Sequence, residues 1–420
     1  MPAMLNSNLW QVVVVGAGAA GLVAALRAAE RGLRTLLLEK NRRPGVKILM
    51  SGGTRCNLTH ACDNRGIMAA YGGQQGKFLQ PALSAFSVQR TLEMFHAEGL
   101  TTKAEDTGKI FPASDKATDV LAALLKRFER SGATLALDEA LTELAPTGET
   151  WQLRTTQRTV TAEKVILTTG GKSYPGSGTT GDGYAWAANL GHAIVPPRPA
   201  LTPISTSDAW VKSLSGVTIP DVALQVIDPA LGEGAAPLAT RRGSFLFTHF
   251  GCSGPVALDV SRAVSAHTKP ERLQLVCNFL PSLPRDHLLQ QIKQAAASAG
   301  KKLLATILPE QLPQRLYEAI LPRHELRLDR KAAELTKFER EQLADAIQRC
   351  IICVAGVRGF GQAEVTAGGV SLDEVDPRTM QSRLAPGLYF AGEILDLDGP
   401  IGGYNFQAAW STGWLAGSSV

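Results

Sequence analysis

Residues 50–60 read MSGGTRCNLTH. Two glycines, an arginine, a cysteine, an asparagine and a histidine stand together there, with chemistry enough for three different jobs. Cys56 with Cys62 offers a thiol pair. Cys56, His60 and Cys62 offer part of a metal site. Gly52 and Gly53, with the polar residues around them, offer a loop that wraps a ligand in backbone amides. The spacing disfavours the first, because a redox pair is normally a C-x-x-C that opens a helix. It disfavours the second as well, since three ligands without a fourth do not close a metal site. Cys350 and Cys353 do form a C-x-x-C, but where a helix passes into a strand, so both read as buried core thiols. Two further side chains are candidates for acting on a substrate: His249, in FTHFG, and Tyr404, in GGYNF. A lone histidine is more often structural, and the neighbouring Thr248 and Ser253 equally suit a tight turn.

The elements that would position these groups begin at the other side of the loop. Gln11 to Val15 is a β-branched run, the pattern of a central parallel strand covered on both faces. Gly16-Ala17-Gly18-Ala19-Ala20-Gly21 follows, then a helical stretch to Gly32, then an apolar strand ending in Glu39, 21 residues past Gly18. Strand, glycine turn, helix, strand and acid in this order form a dinucleotide-binding unit. Gly16 allows the sharp turn, Gly18 the approach of a pyrophosphate, and Gly21 close packing of helix on strand. Ala17 and Ala20 lie in the same loop. The helix start carries about half a positive charge towards the phosphates. Glu39 is placed for the ribose hydroxyls. A second match, Gly176 to Gly181, stands away from its strand and lacks the distal acid; it reads as a loop leading into a helix near Asp182.

Residues 132–144 and 160–171 read as further strands of this domain, the second ending in a glycine pair. Near the C-terminus, GLYFAGE (387–393) is a strand ending in Gly-Glu, followed by LDGPIGGYNFQ and a helix. Pieces at both ends of the chain thus look like halves of one cofactor domain. A helix starting at Gly403 would aim its free amides at charge developing on a bound cofactor, a donor effect typically worth about 3 kcal/mol in a dry site.

Between the halves the character changes. From residue 193, proline-rich VPPRPALTPI leads into short alternating strands, VALQVID, LATRRGSFLFTHFG and LQLVCNFL, parted by turn signals at Asp228-Pro229 and Gly232. Residues 284–349 look helical and mix both charges. The expected division is 1–192 with 354–420 as cofactor domain, 193–283 as an inserted antiparallel β domain rejoined by 350–356, and 284–349 as a helical subdomain.

Across the chain, the stretches GAGAAGL, KILMSGGTRCNLTH, GKIFP, TTGGKSYPGSGTTGDGY, LFTHFGCSGP, VTAGGV and GLYFAGEILDLDGPIGGYNFQAAWSTG occur in order. On these the sequence resembles the bacterial NAD(P)/FAD-dependent oxidoreductases of the YhiN or BaiN type, whose cofactor fold is glutathione-reductase-like. It departs at Thr54, where that pattern expects a third glycine. The resemblance implies an α/β fold with a Rossmann-like FAD-binding domain and non-covalent FAD. It implies that Ser51, Gly52, Gly53, Arg55 and Asn57 face the pyrophosphate and ring, with Lys40 and Lys47 adding charge. It also implies cofactor contacts from Leu141, Thr169, Gly170, Gly392, Glu393, Asp398, Gly402, Gly403, Asn405 and Phe406, and an active-site wall at Lys109 and Phe111.

The function expected is hydride transfer to or from the flavin on a small organic substrate. That is enone-type reduction with NAD(P)H docking transiently, or amine oxidation; the alternatives are an RNA-modifying or RNA-binding flavoprotein and a non-catalytic flavin sensor. The composition agrees with a packed enzyme: 420 residues, 45% hydrophobic, 19% charged, net charge +5. That charge does not call for a nucleic-acid partner, and residues 284–349 hold one Tyr and one Phe, so none is expected. No apolar run reaches the length of a membrane helix. The opening residues lack the basic region of a signal peptide, and six scattered cysteines suit reduced thiols. A cytoplasmic location is expected.

Overall fold

A computed structural model describes residues 9–232, 234–298 and 301–420. The chain divides into two compact units, residues 1–198 with 364–420, and residues 199–363.

In the first unit a sheet runs in the order Thr134–Ala136, Thr35–Leu38, Leu9–Val15, Thr159–Leu167, Thr150–Thr155, Leu141–Thr147, and Leu388–Phe390 also pairs with Thr159–Leu167. Val12 to Val15 pair in parallel with Thr35 to Leu38 on one side and with Lys164 to Leu167 on the other. All four of those valines are buried, as two covered faces require. The parallel strands therefore end together at Val15, Leu38, Leu167 and Phe390. In doubly wound folds that carboxyl edge is where ligands sit. The stretch read as one strand over 132–144 is two, broken at 137–140. Helix Ala19–Glu30 buries nine of its twelve residues, and helix Tyr404–Ser419 also buries nine positions. The two are small-residue surfaces in close contact: a Cβ on Gly413 would lie 2.4 Å from the Ala20 carbonyl, and one on Gly417 2.3 Å from that of Ala24. A three-stranded sheet of Thr59–His60, Lys109–Pro112 and Thr102–Ala104 completes the unit.

The second unit is a seven-stranded sheet in the order Cys350–Cys353, Gln274–Asn278, Thr218–Ile227, Ala239–Thr248, Gly251–Ser253, Ile204–Ser205, Gly356–Val357. Its registered pairs are antiparallel. The alternation along Gln274–Asn278 buries Leu275 and Cys277 on one face. Helices Arg285–Ser298, Gln314–Ile320 and Lys337–Gln348 put Leu288, Ile292, Leu316, Ile320, Leu343 and Ile347 into the same core as Val222, Leu224, Phe245 and Phe247. The helical segment thus shares one core with the sheet. Residues 354–363, read as part of the cofactor domain, go with this unit, because Gly356–Val357 pairs with Ile204–Ser205.

Cys350 is buried and Cys353 exposed. Both were expected in the core. They lie three apart on a strand, so they point to opposite faces.

Candidate functional site

The carboxyl edge of the parallel strands gathers the glycine turn, Glu39, the Thr168–Gly171 loop and Gly392–Glu393. Each glycine of the first turn has its own reason. Gly16 sits at φ +102° and a Cβ there would lie 2.9 Å from the Thr168 carbonyl; at Gly21 it would lie 1.8 Å from the Gly16 carbonyl. Those two are required by the protein's own backbone. Gly18 is different. Its φ of −82° suits any residue, and a Cβ would meet nothing within 4 Å. Neither conformation nor packing demands glycine there, and the position is open to close approach by a ligand. The helix it opens has no side-chain cap, and its first-turn amides are the donors such a ligand would meet. Ala17 is fully buried and Ala20 nearly so.

Glu39 is buried. One carboxylate oxygen accepts from the Ala17 N–H (2.7 Å) and the other from that of Asn41 (2.9 Å). It is held rigidly at the strand end, beside the turn. Leu141, also buried, lies two residues past Glu139, whose N–H donates to the Glu39 carbonyl at 2.9 Å. Thr169 Oγ1 is buried and has no hydrogen-bond partner, and a Cβ on Gly183 would lie 2.2 Å from it. The neighbouring Gly170 is left-handed, at φ +73°.

The glycine loop of residues 51–57 is irregular throughout. Ser51 is extended at ψ 152°, and Gly52, Gly53 and Thr54 are left-handed at φ 57°, 66° and 69°. Thr54, the departure noted in the sequence, therefore occupies a conformation that suits glycine and strains a β-branched residue. Cys56 is also left-handed, and its thiol is fully buried. Burial pushes its pKa up to about 12, against a hydrogen bond from Ser51. It is no nucleophile. Arg55 reaches Glu105 (2.8 Å) and Asp115 (3.3 Å) and lies over the Phe111 ring at 3.8 Å. Its hydrogen bond to Glu105 raises its pKa further. Lys40 pairs with Asp182 and Thr180, and Lys47 with Glu393. Glu393 also accepts from the Thr366 N–H at 2.8 Å.

Asn57 locks the start of the C-terminal helix. In the amide orientation that satisfies both ends, it donates to the Thr59 carbonyl (3.1 Å) and accepts from the Gly403 N–H (3.0 Å). A Cβ on Gly403 would lie 2.4 Å from the Thr59 carbonyl, and one on Gly402 3.3 Å from His60 Nδ1. That pair is glycine so that the helix start can sit against the strand Thr59–His60. Asn405 donates to the Gly399 carbonyl and accepts from its N–H, at 2.9 and 2.8 Å. Buried Asp398 accepts from Gln75 at 3.1 Å. Phe406 stacks on Trp410 at 5.4 Å. Gly392, at φ +77°, packs on Ala20, 2.8 Å from a Cβ placed there. The two glycines of Val365–Val370 admit the protein's own backbone: Cβ atoms there would lie 2.5 Å from the Pro196 carbonyl and 2.6 Å from that of Ile394.

Of the two candidates for substrate chemistry, Tyr404 begins the C-terminal helix, and its ring stacks on His60 at 4.5 Å. His60 Nδ1 lies 3.0 Å from the Gly402 carbonyl, which fixes that nitrogen as the donor. Reading the sequence did not single out His60 or Tyr184 for this site. Tyr184 is buried with its hydroxyl unpartnered, and its pKa is raised by burial and by Glu393 and Asp396. His249 belongs to the second unit. It is exposed in the turn after Ala239–Thr248, with its ring edge-on to Phe250 at 4.9 Å. Elsewhere in the first unit, His192 bridges Ser382 (2.9 Å) and Glu374 (3.2 Å). That arrangement resembles a hydrolytic relay, but Ser382 Oγ is buried and already accepts from the Leu384 and Ala385 amides. It is a structural brace. Among the described residues no cluster could hold a metal ion, and no helix is long and apolar enough to cross a membrane.

The family described as HI0933-like protein Rossmann domain matches residues 10–419. The chain belongs to that family. The family's proteins are FAD-dependent oxidoreductases, so this HI0933-like chain is an oxidoreductase with a flavin cofactor. The ribosomal RNA dihydrouridine synthase of Escherichia coli K12 is 32% identical over 98% of both chains. The 3-dehydro-bile acid delta(4,6)-reductase of Clostridium scindens is 31% identical, again over 98% of both. In overall fold the chain is similar to a 3-ketosteroid-delta4-(5alpha)-dehydrogenase from Rhodococcus jostii RHA1, at 14% identity and a TM-score of 0.54, covering 100% of this chain and 98% of that one.

Proposed function

We propose that this protein is an FAD-dependent reductase that uses NAD(P)H to saturate a carbon–carbon double bond conjugated to a carbonyl, on a uracil ring of RNA. The observation that supports the cofactor half is Gly18, a glycine that leaves the uncapped helix start open to close approach by a ligand. The reaction half rests on two relatives whose names, though their substrates differ, both describe hydrogen added across such a double bond. RNA is placed first because a second relative, from Haemophilus influenzae and 30% identical over 97% of this chain, carries the same ribosomal RNA name. The sequence led to the expectation of a small-molecule substrate and no nucleic acid, with an RNA-modifying flavoprotein as the alternative, and the ribosomal RNA names favour that alternative. A small cyclic dienone is the second reading, favoured by the bile acid relative.

Bound flavin supplies the hydride. The chain's own residues hold the dinucleotide and provide the proton. The uncapped start of Ala19–Glu30 takes the pyrophosphate, and Glu39 the ribose hydroxyls. In this reading Ser51, Gly52, Gly53, Thr169, Gly170, Gly392 and Glu393 line the rest of the cofactor. Saturation needs one proton for each hydride, and Tyr404 Oη is its proposed donor. His60, stacked on the Tyr404 ring and tied to Gly402, is a positioning residue for it; His249 is not needed in this role.

The test is anaerobic. NADH or NADPH should bleach the flavin, and uridine-containing ribosomal RNA lacking dihydrouridine should restore the colour while gaining dihydrouridine. Recolouring by a steroidal 3-oxo-4,6-diene alone would establish the second reading. No bleaching by either nucleotide would refute both.

A further inference from the structure

The second unit carries a group that nothing above uses. Arg358 follows the short strand Gly356–Val357 and is pinned at its backbone: its N–H donates to the Pro203 carbonyl (2.9 Å), and its carbonyl accepts from Thr202 Oγ1. Its side chain is pinned as well. The guanidinium lies over the Phe250 ring at 4.8 Å, and Nε donates to Gln362 at 3.1 Å. Phe250 is fixed in turn by the Thr206 N–H on its carbonyl (3.1 Å), with exposed His249 set edge-on against its ring. Arg242, Arg285, Arg327 and Arg330 in this unit each pair with a carboxylate. Among the described residues Arg358 has no carboxylate partner, as is also true of Arg323, which lies over the Trp210 ring at 4.5 Å. An arginine held in place with its terminal nitrogens uncompensated is a ready receptor for an anion or a carbonyl.

The residues that follow point the same way. Gly359 and Gly361 are exposed, and neither has a left-handed φ; Gly359 lies at −56°. A Cβ at either would meet nothing within 4 Å. As with Gly18, the fold gives no reason for glycine. Bare backbone beside a stacked guanidinium and an aromatic ring suits a strand of nucleotides, whose bases stack on π-faces and whose phosphates approach closely.

We infer that Arg358, Phe250 and the Gly359–Gly361 backbone form a single-stranded RNA platform on the second unit. This rests on the RNA reading above and adds the surface that would select RNA. It also shows why residues 284–349 gave no sign of RNA: the platform lies outside them.

The test uses the full-length flavoprotein and a fluorescein-labelled dodecauridylate, followed by fluorescence anisotropy at fixed salt, since phosphate contacts are salt-dependent. Arg358→Ala is expected to weaken binding at least tenfold. Arg358→Lys should weaken it several-fold, because an ammonium keeps the charge and loses the stacking. The double variant Gly359→Ala/Gly361→Ala, which the fold accommodates, should melt with the wild type and bind at least threefold more weakly. No measurable binding by the wild type, or binding by Arg358→Ala within twofold of it, overturns the platform. Dihydrouridine formation is scored separately. RNA bound through Arg358 but never reduced would refute the reductase reading and leave the platform standing. RNA reduced equally well by Arg358→Ala would do the reverse.

Discussion

Gly18→Ala separates a glycine kept for a ligand from one kept for the fold. The added methyl meets nothing within 4 Å at an ordinary φ of −82°. Alanine is a poorer N-cap than glycine by a few tenths of a kcal/mol or more, but the loss of unfolded-state freedom returns about 0.4–1 kcal/mol. The cofactor-free protein should therefore melt within about 2 °C of the wild type. FAD binding should suffer. Holding a phosphate off one charge-assisted backbone donor costs about 2 kcal/mol, or about 30-fold in Kd. Gly21→Ala gives the opposite pattern. Its Cβ would stand 1.8 Å from the Gly16 carbonyl, so helix and strand must separate by more than an ångström, at a cost of about 1–3 kcal/mol in the cofactor-free fold. Thermal melts of both cofactor-free variants and an FAD titration by flavin fluorescence measure the two quantities. If Gly18→Ala binds FAD like the wild type, or destabilises the empty protein as Gly21→Ala does, the assignment of Gly18 to the ligand is refuted.

Three further expectations follow from single residues. Thr54 is a β-branched residue at φ 69°, so Thr54→Gly should stabilise the protein by about 1 kcal/mol in denaturant melts; no gain would mean that the loop has relaxed around the threonine. Exposed Cys353 should react first with an aromatic disulfide reagent, while Cys56 and Cys350, whose pKa values burial pushes to about 12, and buried Cys252 and Cys277 stay unlabelled until the protein unfolds; peptide mapping that finds Cys56 labelled in the native state contradicts this. Burial holds the His192 pKa below its ordinary 6.5, against the opposing pull of Glu374. The unfolded chain then binds that proton more readily, so stability is complete above pH 6.5 and lost as pH falls towards the lower folded value. Urea melts across that window should show His192→Gln losing part of the pH dependence; identical slopes would contradict it.

The nucleotide-binding half was open to reading because its signals are local. Four valines, three glycines at fixed offsets and an acid 21 residues past Gly18 each carry a conformational or electrostatic demand that no distant residue can cancel. What escaped depended on distant partners. His60 joins the site through Gly402 and Tyr404, more than 340 residues away, partners that its own stretch, where it stood out only as a possible metal ligand, does not name. The glycines at 368 and 369 were legible as sites of close approach, but not that the approaching group is the protein's own backbone. The helices of residues 284–349 have apolar stripes, yet a stripe does not name the sheet that covers it, and here it is the β core of the same unit. Cys353 was misplaced because a C-x-x-C means one face on a helix and two faces on a strand.

The charges around the glycine loop bear on how an anion is held there. Lys40, Lys47 and Arg55 look from sequence like a cationic rim for phosphates. In the fold each is paired: Lys40 with Asp182, Lys47 with Glu393, Arg55 with Glu105 and Asp115. Lys103 shares Asp115 with Arg55, so four cations face four carboxylates and leave no net positive charge to offer. In the proposed reading the attraction for a pyrophosphate comes from uncompensated backbone dipoles, above all the uncapped start of Ala19–Glu30. Amides fixed by a buried helix keep their direction whether or not a ligand is present, and salt screens such short contacts less than it screens lysines in solvent. The ion pairs take a different part: Lys47 ties the helix Val46–Thr54 to Gly392–Glu393, so a loop from the N-terminal segment and a turn from the C-terminal segment are held at one strand edge. The cations assemble the site, and the uncapped helix start is left as the donor an anion would meet.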